Sequence, residues 1–119
     1  GQTPATFTYN ANLSIDVSTR NIFQQTDTMT GNTALTLTNG VDGDQGVIAF
    51  IQDGTGTRKI TSCTVAGRTV KMQEGLTTIN TPLFVLANAV GLFTYQYYTV
   101  NGSARCLIGM TADQATSFA

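Results

Sequence analysis

One six-residue run, V-I-A-F-I-Q at Val47–Gln52, limits this chain more than any other stretch. It is too short for a typical helix, it is rich in β-branched and aromatic residues, and it ends at Asp53-Gly54 with Gly56 close behind, where positive φ is tolerated. The stretch Gly46–Thr61 therefore reads as a strand, a turn and a returning strand, a hairpin. Along the first strand Val47, Ala49 and Ile51 point one way while Ile48 and Phe50 point the other, so neither face is suited to water. One face needs a core and the other a cover. A second copy of the chain is the simplest cover.

The rest of the chain repeats the β signal and sustains no helical period. Leu13, Ile15 and Val17 alternate with polar residues, and Thr33–Thr38 (T-A-L-T-L-T) turns Leu35 and Leu37 inward before Asn39-Gly40 ends the strand. Ile22–Met29 is a weaker strand. Lys59–Val65 and Thr69–Gln73 are read as two strands joined at Ala66-Gly67-Arg68, and Leu83–Leu86 as a short one. Val90–Val100 is the longest run, with Phe93, Tyr95 and Tyr97 on one face and Leu92, Tyr98 and Val100 on the other. Asn101-Gly102 then signals a two-residue hairpin into Ser103–Met110. The fold class expected is all-β, an antiparallel β-sandwich or jelly-roll-like barrel of about eight to ten short strands. Residues 1–119 form a single β domain in this reading, with 1–12 as a candidate N-terminal arm and 111–119 as a flexible tail.

Composition removes several function classes. Charged residues make up 11% of the chain, under half the usual share, and Thr, Asn, Gln and Gly hold the polar positions. With a net charge of −1 and no basic cluster, nothing marks a nucleic-acid surface. Histidine is absent, which removes the commonest general base and zinc ligand. The Asp42-Gly43-Asp44 loop lacks the longer ligand pattern of a calcium loop. No apolar run reaches the length of a membrane span, and G-Q-T-P lacks the features of a signal peptide. Cys63 and Cys106 are read as buried thiols, the alternative being one intrachain disulfide. No cofactor or metal is expected.

Four segments taken together resemble a β module that recurs in tailed-bacteriophage virion proteins, in tail fibres, head fibres and capsid decorations. They are I-D-V-S-T-R-N-I-F (Ile15–Phe23), T-G-N-T-A-L-T-L-T-N (Thr30–Asn39), G-V-I-A-F-I-Q-D-G-T-G-T-R-K-I-T (Gly46–Thr61) and A-N-A-V-G-L-F-T-Y-Q-Y (Ala87–Tyr97). The resemblance spans residues 13–108, with Q-D-G-T-G-x-R at Gln52–Arg58 as its most specific part. The chain departs from the pattern at Gly91 and at Val100-Asn101-Gly102. The resemblance implies a small trimeric unit that does no chemistry and serves as a knob, joint or cement on a particle assembled in the host cytoplasm.

Three sets of residues follow as candidates. Asp53, Gly54, Gly56 and Arg58 are structural, Asp53 capping its own turn and pairing with Arg58. Ile48, Phe50, Leu92 and Tyr98 are candidates for a subunit interface in a homotrimer. Tyr95, Tyr97 and Asn101 are candidate glycan contacts in the alternative reading, a receptor- or glycan-binding tip of a phage fibre. The expected partners are the chain itself, another capsid or tail protein, and in that alternative a host surface glycan. No nucleic acid and no membrane is expected. The scattered carboxylates sit mostly in turns, and an enzyme is not expected.

Overall fold

The computed structural model describes residues 3–76 and 84–113. Nine strands lie among them: β1 Ala5–Phe7, β2 Asn12–Asp16, β3 Ile22–Gln25, β4 Thr33–Thr38, β5 Gln45–Ile51, β6 Ile60–Val65, β7 Thr69–Met72, β8 Val90–Val100 and β9 Ser103–Ala112. They form a six-stranded sheet in the order β1-β3-β5-β8-β9-β7 and a three-stranded sheet in the order β2-β4-β6. The chain is thus an all-β, two-sheet sandwich.

The direction of pairing corrects the antiparallel expectation. Only β5–β8 and β8–β9 are antiparallel; every other pairing is parallel. From β1 to β7 each strand lies in the sheet opposite its predecessor, so the chain winds as a flattened coil in which, as far as β6, each turn stacks on the one before. A parallel pair needs a long crossover, and here the crossover is a strand of the facing sheet. Gly46–Thr61 is accordingly not a hairpin, because β5 belongs to the large sheet and β6 to the small one. The turn at Ala66-Gly67-Arg68 likewise carries the chain from one sheet to the other. The hairpin at Asn101-Gly102 is real: both residues have positive φ, 51° and 77°, and Val100 pairs with Ser103. It lies between β5 and β7, the two strands that the coil would otherwise set side by side.

Stacking makes the core. Leu13, Leu35 and Cys63 form one row across the small sheet, and Ile15, Leu37 and Val65 form the next. The large sheet answers with Phe23, Ile48, Phe93 and Met110 in register. Phe50 packs edge-on against both Phe7 and Phe93, with ring centroids 5.6 and 6.4 Å apart. Room for two of the largest side chains comes from glycines: a Cβ at Gly40 would overlap the Tyr97 ring, and one at Gly46 would overlap the Tyr95 ring. Of the candidate arm, β1 pairs with β3, and Thr111 and Ala112 extend β9. Phe84, Val85 and Leu86 form bends and loop instead of the expected strand, with Phe84 fully buried. The remainder of that segment and the tail from 114 lie outside the described residues.

Candidate functional site

The Asp53–Arg58 loop is a clasp closed at three levels. Asp53 Oδ1 accepts the backbone N–H groups of Thr55 and Gly56 at 3.0 and 3.1 Å, and its Oδ2 accepts from Arg58 Nη2 at 2.9 Å. The guanidinium is the main reason that the Asp53 carboxyl sits below the ordinary aspartate range. Positive φ falls on Gly56 and on Thr57, at 73° and 61°, and Gly54 is not among the positive-φ residues. A β-branched residue in that region is strained. It is held there by the Thr57 N–H donating to Val85 O at 2.8 Å. Beneath lies Gln52, fully buried, whose amide nitrogen donates to Arg58 O and Phe84 O at 2.8 and 3.1 Å and whose Oε1 accepts from Arg58 N at 3.0 Å. The clasp is internally satisfied and presents no reactive group.

The candidate interface residues do not share a face. Ile48 and Phe50 are 0% and 1% exposed and lie inside the sandwich, because the β5 face that carries them is the one turned to the small sheet. Leu92 and Tyr98 lie on the outer face of the large sheet. Leu92 is 42% exposed and Tyr98 half-buried. The outward side of β5 is Val47, Ala49 and Ile51, and register places Ala49 beside Leu92 and Ile51 beside Val90.

The candidate glycan contacts are also separated. Tyr95 and Tyr97 are core residues, 1% and 3% exposed, packed edge-to-face with centroids 6.0 Å apart. Their rings are therefore not offered to a ligand, while Asn101 lies exposed in the hairpin turn. Both hydroxyls are buried without a hydrogen-bond partner among the described residues. Burial pushes the Tyr95 hydroxyl up to about 12 and Tyr97 further still. Cys63 and Cys106 are free thiols, pushed by burial to about 12 and about 11, so both are protonated and unreactive at neutral pH.

Two structural residues were missed in the sequence. Arg68, assigned there only to a turn, donates through Nη1 to Asp42 Oδ1 at 2.6 Å and to the carbonyls of Tyr98 and Arg105 at 3.2 Å, and its guanidinium lies 4.9 Å from the Tyr97 ring centre. It ties the 41–44 loop to both strands of the hairpin. Gln25 is the second: its Oε1 accepts from Ile51 N at 2.9 Å and its amide donates to Asp27 at 3.0 Å. Neither stood out locally, Arg68 lying in a turn and Gln25 within the polar run Gln24-Gln25-Thr26-Asp27.

The described aspartates are taken up in structural contacts, most of them with backbone N–H groups. Asp27 accepts the Tyr9 N–H, Asp44 that of Val41 and Asp113 that of Val90. Asp16 accepts from Ser18 and Asn39, and Asp42 from Arg68 and Thr99. No group of three His, Cys, Asp or Glu side chains fit to hold a metal occurs among the described residues.

The outer face of the large sheet is divided along its strands. At one end a groove of about 540 Å³ is floored by β5, β8 and β9 and bordered by Asn21 and Gln73. At the other end an apolar depression of about 320 Å³ is lined by Val90, Leu92, Thr111, Ala112 and Asp113. Among the described strand residues on this face, the charges are Lys71 and Arg105, at the β7–β9 border. The outer face of the small sheet is different, with Ser14, Thr36 and Thr64 in one row. Comparison with known proteins returns no matching family model, curated protein or solved structure.

Proposed function

We propose that the chain is a non-enzymatic structural module of a bacteriophage particle, a fibre, knob or capsid-decoration unit that forms a homotrimer through the apolar end of its large sheet. The observation that carries this reading is Leu92, 42% exposed beside a depression it shares with Val90, Thr111, Ala112 and Asp113, on a half of the sheet whose described strand residues carry no charge. Half-buried Ala49, Ile51 and Val90 surround it, and the loop entering β8 at the same end exposes Val85 and Leu86 at 36% and 51%. Exposed apolar groups concentrated on one face mark an interaction surface. The strand residues there carry no charge, and the carboxylate in the lining, Asp113, sits beyond the end of β9 and accepts the Val90 N–H, so the apolar strand surface can meet its copies without setting like charges against each other. The four-segment resemblance to virion modules and the low share of charged residues support the setting, in which the chain joins its own copies and another virion protein.

Sedimentation equilibrium at micromolar concentration tests the assembly. A trimer is expected, and Leu92→Lys is expected to shift it to monomer, since an interface leucine contributes about 1.5–3 kcal/mol per copy. A monomeric wild-type chain overturns the assembly. Mass spectrometry of purified particles tests the setting, and a particle fraction lacking the chain overturns it.

A further inference from the structure

We propose that the groove at the other end of this face binds a neutral, hydroxyl-rich chain, a segment of uncharged polysaccharide. Its volume, about 540 Å³, falls within the range of ligand cavities. Gly109, the cross-strand partner of Thr94, leaves room on the floor for the Gln73 amide. A Cβ there would overlap the Gln73 amide and lie 3.1 Å from Thr94 Oγ1. Gln73 is fixed over this point because its Oε1 accepts the Met110 N–H at 3.1 Å, which sets one rim of the groove.

Among the described residues the polar lining is all neutral. Gln45 and Gln96 are cross-strand partners whose side chains meet at 3.5 Å, and with Asn21, Gln73 and Thr94 they supply amides and a hydroxyl. Such groups donate and accept at one site, as sugar hydroxyls do. Phosphate, carboxylate and ammonium ligands would find no counter-charge in the lining. Val47 and Leu107 offer aliphatic surface to the C–H face of a sugar ring. An extended peptide is the main competitor, and it normally docks on an open strand edge. Here β5, β8 and β9 are each paired on both sides, so the floor has no free backbone ladder to offer. Tyr95 borders the groove but is 1% exposed and Tyr97 is not in the lining, so this site differs in chemistry from an aromatic glycan platform.

The test follows side-chain amide signals by ¹⁵N–¹H NMR while maltohexaose, cellohexaose or mannohexaose is added to about 20 mM, enough to load a roughly millimolar site. Saturable shifts of the Gln45, Gln73 and Gln96 amides with at least one probe, and none at Asn12 or Asn101, are the expected result. Thr94→Val and Gln96→Leu, both on the exposed face, are expected to abolish the saturation while the backbone spectrum stays folded. Gly109→Ser is expected to do the same by pushing the Gln73 amide off its place at the rim. Absence of saturable shifts with all three probes overturns the proposal, as do equal shifts at Asn12 and Asn101. So does an uncharged hexapeptide that shifts the groove amides when the saccharides do not. The outcome is separable from that of the assembly: a monomer that binds refutes only the trimer, and a trimer that does not bind refutes only this site.

Discussion

The coil from β1 to β7 and the β8–β9 hairpin fill one interior by opposite routes. In the coil, strands that touch are separated by a whole strand of the facing sheet, and register is held by side-chain rows and by the buried amides of Gln25 and Gln52. In the hairpin, a two-residue turn sets the register of the whole pair. The coil is a product of long-range packing, the hairpin of local turn chemistry. They meet along β7–β9 and, over a longer register, along β5–β8, the seam at which Gly46 makes room for the Tyr95 ring.

The largest effect is expected from alkali. Tyr95 and Tyr97 on β8, Cys106 on β9 and Cys63 on β6 all hold their protons more tightly in the folded chain, because burial penalises the anion. A group whose folded value is raised stabilises fully below its unfolded value and loses that contribution as pH climbs towards the folded one. Stability should hold to about pH 9 and collapse between there and pH 12, with hairpin and coil separating at the seam. Urea midpoints across that range, with tyrosinate absorbance, check it. An alkaline limb that begins only above pH 12 would show that these groups do not couple the two parts.

Gly46→Val strikes the same seam by bulk. The new side chain would meet the Tyr95 ring and the Asn21 carbonyl together, and overpacking of this kind costs about 1–3 kcal/mol or more. Denaturant unfolding should show a lowered midpoint at unchanged slope. Gln52→Leu tests the coil alone. It leaves the Arg58 N–H and the carbonyls of Arg58 and Phe84 without this partner, at a cost of about 1–3 kcal/mol. Hydrogen exchange should accelerate at Arg58 and Thr57 before it does in β8 and β9.

The same contrast explains what could be read in advance. Alternation in Asn12–Asp16 and Thr33–Thr38 marks strands, and Asn101-Gly102 marks the hairpin, because each is a local property of a few residues. Asp53-Gly54 marks a turn just as well, yet a turn does not say whether the chain returns to its own sheet or steps to the facing one. Parallel stacking was missed for that reason. Likewise, the alternation in β8 puts Phe93, Tyr95 and Tyr97 on one face, but which face is inside depends on the distant β4 and β6. That choice moved both tyrosines from candidate ligand contacts into the core, and the same choice on β5 moved Ile48 and Phe50 off the candidate interface. Arg68 and Asp42, 26 positions apart, could be joined only by the coil.

The smallest effect belongs to the hairpin turn itself. Asn101 has a φ of 51°, in the left-handed region that asparagine tolerates better than other side chains. Asn101→Ala should therefore cost about 1 kcal/mol, and because the turn is exposed and remote from the seam, nothing else should change. If the hairpin closes early and the coil packs onto it, the cost should appear mainly as slower folding. If the coil forms first, it should appear mainly as faster unfolding. Stopped-flow measurement of both limbs decides between these orders, and it shows whether the locally specified part of the sandwich leads or follows the part that depends on long-range contacts.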